Sequence, residues 1–326
     1  MKTAIVILNW NGKELLEKFL PSVTQYSEGA EIYVADNAST DDSIDFVVST
    51  FPQVKIIKNE INGGYAKGYN EALKQVNADV FCLLNSDVEV TPNWLTPIIN
   101  EFETNANTNI IQPKILDYKN KAYFEYAGAA GGFIDTYGYA YCRGRIFDTI
   151  EKDEGQYNDT TSIFWASGAC LFIKKSVFNT LNGFDESYFA HFEEIDLCWR
   201  AYNAGFNTTY VGASTVYHVG GATLNAINPK KTYLNFRNSL FTLTKNCERP
   251  LFGIIFIRLT LDGLAGLKFL FSLKTAHFIA ILKAHFSFYA NLTRLLKQRK
   301  TLPKKKKNYK ITSIVWSYFI KKRRTY

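Results

Sequence analysis

Between Thr3 and Leu84 the chain repeats one pattern: a short apolar run, a polar turn, then a segment with helix-spaced apolar residues. The runs are Ala4-Ile5-Val6-Ile7-Leu8, Ile32-Tyr33-Val34-Ala35, Val54-Lys55-Ile56-Ile57 and Val80-Phe81-Cys82-Leu83-Leu84. Runs of this length without polar alternation are strands covered on both faces, as in a parallel sheet flanked by helices. Lys13 to Tyr26 carries Leu15, Leu16, Phe19 and Leu20 at helical spacing, Asp41 to Phe51 follows a Ser39 or Thr40 cap, and a third helix runs from the glycine turn at 62–70 to Val76. This βαβαβαβ order predicts an α/β fold with a doubly wound, mostly parallel sheet, an architecture that binds nucleotides.

In such sheets the ligand lies beyond the carboxyl ends of the strands. The fourth run stops abruptly in Asn85-Ser86-Asp87, which makes Asp87 the first candidate for chemistry; the competing reading is a plain turn, since all three residue types bond their own backbone. Asp36 closes the second strand and can accept from the ring imide N–H of a uracil or thymine, a bond that selects pyrimidines. In Asn62-Gly63-Gly64-Tyr65-Ala66-Lys67-Gly68-Tyr69-Asn70 the glycines allow close approach of a ligand to the backbone, with Asn70 opening the helix, although a βα turn alone would use them too.

Farther on, a helix is expected over Trp94 to Glu103, a strand over Ile110 to Ile115, one strand over Ser162 to Lys174, and a short helix over Lys175 to Leu181. Lys119 to Thr161 is rich in Gly and Tyr without periodicity and reads as a long irregular insertion, a lid or binding loop. The second half of Phe189 to Ala201 is helical, Asn207 to Val211 is a strand, and Val216 to Gly221 a strand end with a glycine turn.

The 326 residues are 47% hydrophobic and 21% charged, an ordinary globular balance, and allow one large domain with an appendage or two domains. The net charge of +8 is concentrated after Leu296, in KQRK, KKKK and KKRR, which points to an anionic surface. Five cysteines without a CxxC pair argue against a disulfide framework or a zinc site and fit a reducing cytosol. The N-terminus opens straight into a strand, so no signal peptide is expected.

Taken together, VILNWNG, VADNASTDDS, NGGYAKGYN, LLNSDVEV, ASGACLFIKKSVFNTLNGFDESYFAHFEEIDLCWRAYNAGF and VYHVGGAT, in this order over about residues 3–240, resemble a family 2 glycosyltransferase of the Rossmann-like GT-A fold, close to the rhamnosyltransferase branch. The resemblance implies inverting transfer of a sugar, rhamnose as the best guess, from a pyrimidine nucleotide-diphosphate donor to a hydroxyl of a glycan or lipid-linked acceptor in cell-surface polysaccharide synthesis. It implies a divalent cation, Mg²⁺ or Mn²⁺, held by Asp87 of a DxD-type motif whose first position is here Asn85, with His218 completing the site. Donor contacts would come from Asn9, Asp36, Asn62, Gly63, Gly68, Asn70, Asn85, Ser86 and Arg237, and the acceptor side from Trp165, Ser167, Gly168 and Asp196. The general base by resemblance is Glu194, where relatives carry Asp, with Glu193 as the alternative; Asp196 also stands at i,i+4 to Arg200.

The division expected is a catalytic domain at 1–245 and a helical, amphipathic region at 246–326. Leu251 to Leu273 is strongly apolar, but Arg258, Asp262 and Lys268 interrupt every spanning window, so the segment is expected to lie in a membrane interface beside anionic lipid on the cytoplasmic face of the plasma membrane. The alternative is that these helices cover the catalytic domain or a homodimer partner. A non-catalytic nucleotide-sugar or membrane-binding protein is a second functional reading. A nucleotidyltransferase is disfavoured because Asn9-Trp10-Asn11-Gly12 has no basic glycine loop, and nucleic acid is excluded as a partner for want of a matching module.

Overall fold

Neighbouring residues of each apolar run point to opposite faces of the sheet, so each run feeds two cores. The computed structural model, which describes residues 1–220, 228–307 and 309–326, bears this out: Ala4, Val6, Phe81 and Leu83 lie in one buried cluster, and Ile5, Ile7, Val80, Cys82 and Leu84 in the other. The elements of the first half are β1 (Thr3–Asn9), α1 (Lys13–Tyr26), β2 (Ala30–Asp36), α2 (Ser43–Thr50), β3 (Lys55–Lys58), α3 (Gly64–Leu73), β4 (Val80–Asn85), β5 (Val88–Val90), α4 (Leu95–Thr104) and β6 (Thr108–Asp117). Leu16, Leu20 and Val23 of α1 and Ile98 and Phe102 of α4 cover one face, while Ala66, Tyr69 and Leu73 of α3 cover the other.

An insertion follows with β7 (Gly132–Ile134), β8 (Ala140–Cys142), β9 (Arg145–Ile146) and β10 (Thr149–Ile150), then β11 (Thr160–Ile163), β12 (Cys170–Lys174), α5 (Lys175–Thr180), α6 (Glu193–Asn203) and β13 (Asn207–His218). The main sheet has nine strands in the order β11-β13-β6-β12-β4-β1-β2-β3, with β5 on β13. It is parallel through β4-β1-β2-β3 and again between β6 and β13, and antiparallel β12 joins the two halves.

Three expectations change. The insertion is not irregular, because β7 to β10 form a four-stranded antiparallel sheet. Strands of two or three residues show no periodicity, and their turns rest on glycines at positive φ, Gly138 at 78° and Gly144 at 85°. The single strand expected over Ser162 to Lys174 is broken between Ile163 and Cys170, where the Trp165 indole N–H donates to the Phe133 carbonyl (2.8 Å) and the Ser167 N–H to Gln112 Oε1 (2.8 Å). Helix α2 starts at Ser43, and neither Ser39 nor Thr40 caps it: Ser39 Oγ accepts from the Asn11 N–H (2.9 Å), and the Thr40 N–H donates to Asn11 Oδ1 (2.7 Å). Gly221 and the rest of the VYHVGGAT motif fall outside the described residues.

The chain ends with α7 (Pro229–Asn246), α8 (Leu251–Phe271), α9 (Thr275–Thr301) and α10 (Ile314–Phe319). Helix α7 was not anticipated; its start is set by Pro229 and by the Asn228 side chain accepting from the Lys230 N–H. Residues beyond 246 pack back on the first half: Ile254, Ile311, Ile314 and Tyr318 join its larger core, and the Ile314 N–H donates to Asp135 Oδ2 (2.8 Å). No helix among the described residues is long and apolar enough to cross a membrane.

Helix α6 is seated on α7 by buried charges. Asp196 accepts from Arg200 Nε (2.8 Å) and Asn246 Nδ2 (2.7 Å) and lies 3.0 Å from Lys245 Nζ, which also reaches Asp185 (2.5 Å). Burial pushes the Asp196 carboxyl up, but Lys245 and Arg200 outweigh it and hold it below its ordinary range. Replacing Asp196 by Ala takes the carboxylate from buried Arg200 and one of the two from buried Lys245, so Asp196→Ala is expected to lose about 3–5 kcal/mol in urea unfolding, with Asp196→Asn losing less. A loss below about 1 kcal/mol would mean that α6 is seated by packing alone.

Candidate functional site

The strand order reverses at β1, between β2 and β4, and the register sets Asn9 beside Asp36 and Leu8 beside Asn85. The crevice at this reversal is where an open α/β sheet takes its ligand. The chain leaves β4 at Asn85, turns through half-buried Ser86 and buried Asp87, and enters β5, whose pairing with β13 puts Val88 opposite His218. Asp87 Oδ1 and His218 Nε2 are thereby 3.1 Å apart, with Asn85 Nδ2 3.4 Å from the same ring nitrogen. On the other side of the ring, Nδ1 lies 3.4 Å from Glu125 Oε1. Burial pushes the imidazole pKa down, but the two carboxylates outweigh it and raise it to about 10.

Glu125 was not anticipated. In the sequence it lies in the insertion, outside any expected strand, and its only mark is an acid within the small and aromatic run Phe124-Glu125-Tyr126-Ala127-Gly128. Its Oε2 accepts from the Ala127 N–H (2.5 Å), and Ser167 Oγ donates to the Ala127 carbonyl (2.5 Å), so the 164–169 segment fixes the loop that carries it.

These residues suit a divalent cation. Two donors on adjacent corners of an octahedron with arms of about 2.1 Å stand about 3 Å apart, close to the Asp87–His218 separation of 3.1 Å. A histidine ligand commonly turns its second nitrogen to a carboxylate, the place Glu125 occupies. Among the described residues no three His, Cys, Asp or Glu gather into a metal cage.

The other expected donor residues lie at the ends of β1 and β2, in the turn into α3 and in α3 itself. Asp36 accepts from the Ser39 N–H (3.2 Å). Asn9 donates to Ser39 (3.2 Å) and Ser43 (2.9 Å), tying the ends of β1 and α2. Asn62 Oδ1 accepts from the Gly64 N–H (3.0 Å) beside Gly63. Gly64 has φ of 73°, and a Cβ there would stand 2.3 Å from the Phe189 carbonyl, so this turn makes room for the 185–192 loop. A Cβ on Gly68 would press on Leu8 at 3.0 Å, and Asn70 is bonded to both the N–H and the carbonyl of Phe184 (2.9 Å each); both residues face the protein.

The 185–192 loop delivers the acid pair. His191 and Phe192 both adopt left-handed φ, 69° and 72°, immediately before α6. Asn238 of α7 donates to the carbonyls of Ala190 (2.9 Å) and His191 (2.7 Å), and Arg237 Nε donates to Asn238 Oδ1 (2.7 Å) while its terminal nitrogen reaches the Ser187 carbonyl (3.3 Å). Arg237 thus braces the loop. Glu193 is buried, Glu194 half-buried, and the Oε2 atom of each is enclosed without a hydrogen-bond partner. Burial raises the Glu194 carboxyl to about 7; burial and then the Glu194 charge drive Glu193 well above its ordinary range. The Tyr65 hydroxyl of α3, Cys142 of β8 and Cys198 of α6 also lie within electrostatic reach of Glu194. Burial thus favours the neutral form of both carboxyls, of Glu193 more strongly, and leaves Glu194 able to take a proton near neutral pH.

Of the expected acceptor-side residues, Trp165, Ser167 and Asp196 are only 3%, 1% and 0% exposed, and their polar atoms bond to the protein itself. The Gly168 carbonyl accepts from the Tyr65 hydroxyl (2.9 Å).

The sheet order and the strand-end carboxylates define a glycosyltransferase of the GT-A fold. The glycosyl transferase family 2 model matches residues 4–181, and the chain belongs to that family. It is 26% identical over 230 residues to the N-acetylglucosaminyl-diphospho-decaprenol L-rhamnosyltransferase of Mycobacterium tuberculosis, covering 66% of this chain and 75% of the relative. It is also 26% identical over 224 residues to the rhamnosyltransferase WbbL of Escherichia coli, covering 66% and 82%. Among solved structures, GalNAc-T7 with UDP, GalNAc and Mn²⁺ superposes with a TM-score of 0.59 at 16% identity over 75% of this chain, which spans 48% of that protein. The mannosyltransferase PcManGT of Pyrobaculum calidifontis with GDP-Man and Mn²⁺ gives 0.54 at 12% identity, covering 90% and 75%.

An acid whose folded pKa is raised destabilises the fold once it ionises. The Glu194 contribution is nil below its ordinary value near 4.5 and grows as pH rises through about 7. Glu194→Gln is therefore expected to match the wild type in thermal stability at pH 4.5 and to exceed it at pH 8 by roughly 1–3 kcal/mol. Equal stabilities at pH 8 would show that the carboxyl is not held in an unfavourable site.

Proposed function

We propose that this glycosyltransferase moves a sugar, with inversion, from a pyrimidine nucleotide-diphosphate donor to a hydroxyl of a glycan or lipid-linked acceptor in cell-surface polysaccharide synthesis. The observations that carry the reading are the Asp87–His218 pair just past a strand end at the sheet's switch point and an acid pair at the head of α6 whose Oε2 atoms have no partner, with Cys142 within electrostatic reach of both Glu125 and Glu194. Rhamnose is the preferred sugar, supported by the two rhamnosyltransferases at 26% identity. The name of the Mycobacterium tuberculosis relative also supports a polyprenyl-diphosphate acceptor.

In this reading Asp36 accepts from the base imide, and the Gly63-Gly64 turn and Ser86 line the donor. Asp87 and His218 would hold Mg²⁺ or Mn²⁺, with Glu125 keeping the His218 ring turned toward it; when bound, the cation offsets charge developing on the leaving diphosphate. Glu194 takes the proton of the acceptor hydroxyl as its oxygen bonds to the anomeric carbon. The bond from that carbon to the diphosphate oxygen breaks with its electrons, and the nucleoside diphosphate departs. Glu193, protonated beside it, keeps the Glu194 charge from being opposed by a second carboxylate. Asp196, Trp165 and Ser167 hold the frame. A nucleotide-sugar donor and five free, buried thiols fit work on the cytoplasmic face of the membrane.

The test is nucleoside diphosphate release from a panel of nucleotide-sugars, with membrane lipid extract and with Mg²⁺, Mn²⁺ or chelator. One donor is expected to turn over, chelator to stop it, and Asp87→Ala to slow it by about a hundredfold or more. Glu125→Gln is expected to raise the metal concentration for half-maximal activity by about tenfold to a hundredfold, with much smaller loss at saturating metal. Donor binding by calorimetry without release under any condition would favour the non-catalytic reading.

A further inference from the structure

Helix α8 turns its charges inward. Its buried residues are Ile254, Arg258, Asp262 and Gly266, one helical turn apart. Arg258 Nε donates to Asp262 Oδ1 (2.9 Å), the other Arg258 nitrogens reach the Tyr137 carbonyl (3.1 Å) and Ser239 Oγ (2.6 Å), and the Tyr139 hydroxyl donates to Asp262 (2.8 Å). The polar bonds that anchor the helix thus force its opposite face outward, and at 3.6 residues per turn that face carries Phe252, Phe256, Ile257, Leu264, Leu267 and Phe271, with Gly253, Thr260 and Gly263 between them and no charge among them. Phe252 is 89% exposed, Phe256 66% and Phe271 82%. The apolar surface continues over Phe286 and Tyr289 of α9, and Lys268 of α8 stands over the Phe319 ring, which brings α10 and exposed Trp316 to the same side.

A face of this size, apolar and aromatic, marks a surface that is covered in use. Charge says by what. From Arg249 to Tyr326 the chain holds eighteen Lys and Arg and one carboxylate side chain, Asp262, which is buried. Exposed Lys268, Lys274 and Lys283 rim the apolar face, and Lys321, Lys322, Arg323 and Arg324 follow α10. A second copy meeting this face would set the positive rim against itself, whereas an anionic bilayer complements both parts.

We infer that the outer face of α8, with the adjoining faces of α9 and α10, lies flat in the surface of an anionic lipid bilayer, its phenylalanines below the headgroups and its lysines and arginines among them. This does not depend on the donor, the metal or the base.

The full-length protein is tested by co-sedimentation with phosphatidylcholine vesicles, with and without phosphatidylglycerol, and by light scattering alone. Wild type is expected to bind the anionic vesicles at least about tenfold more tightly than the neutral ones, less so at high salt. Phe252→Gln/Phe256→Gln/Phe271→Gln removes exposed side chains only; it should retain the wild-type melting temperature and weaken vesicle binding about tenfold or more. Lys321→Glu/Lys322→Glu should weaken binding to anionic vesicles only. No vesicle binding, equal binding to both vesicles, or unchanged binding by the phenylalanine variant would overturn the proposal; a dimer that the phenylalanine variant dissolves, without vesicle binding, would assign the face to a second copy.

Discussion

The contact on which the site depends is the imidazole of His218 held between Asp87 and Glu125. It ties together three parts of the chain remote in sequence: the turn after β4, the insertion, and the end of β13. Each is delivered by backbone register. The β5–β13 pairing sets Asp87 against His218, and the Ile115–Glu125 backbone bond at 3.0 Å sets the insertion against β6. Two carboxylates on one buried ring gather negative charge at one point, which suits a cation.

The neighbouring acid pair is costly to the fold. Two carboxyl oxygens are enclosed without partners, and two successive non-glycine residues take left-handed backbone at the head of α6. Such strain persists only where the surroundings enforce it. Here Asn238 holds the carbonyls of the loop from one side, and the Asp196–Arg200–Lys245 cluster pins the helix from the other. Asp196 shares a helix turn with Glu194 yet has the opposite fate, ionised and paired where Glu194 is raised and unpaired.

The parallel spine was legible because strands apolar on both faces alternate with helices of clear period, and the boundaries of α1 were read to the residue. The strand-end position of Asp87 and the acids at the head of α6 were legible for the same reason. What the sequence hid was set by tertiary contacts: the two- and three-residue strands of the insertion have no period, and Glu125 looks like any loop acid until β6 and β13 bring His218 to it. Trp165 and Ser167 lie in a motif that names a region of the site without saying which way each side chain faces. In α8, Arg258 and Asp262 show in the sequence as interruptions of a spanning window; the fold adds that they lie on the face turned to the protein.

The central claim is that Glu194, raised by burial, is the group that deprotonates the acceptor. The direct measurement is the pH dependence of kcat/KM for nucleoside diphosphate release at saturating metal, in wild type and Glu194→Gln, with donor affinity measured alongside. The account predicts a wild-type rate that rises with pH through a limb near 7. It predicts a Gln variant slower by about a hundredfold to ten-thousandfold that has lost this limb, with donor affinity unchanged. A Gln variant that keeps the wild-type rate, or that keeps the limb, would contradict it.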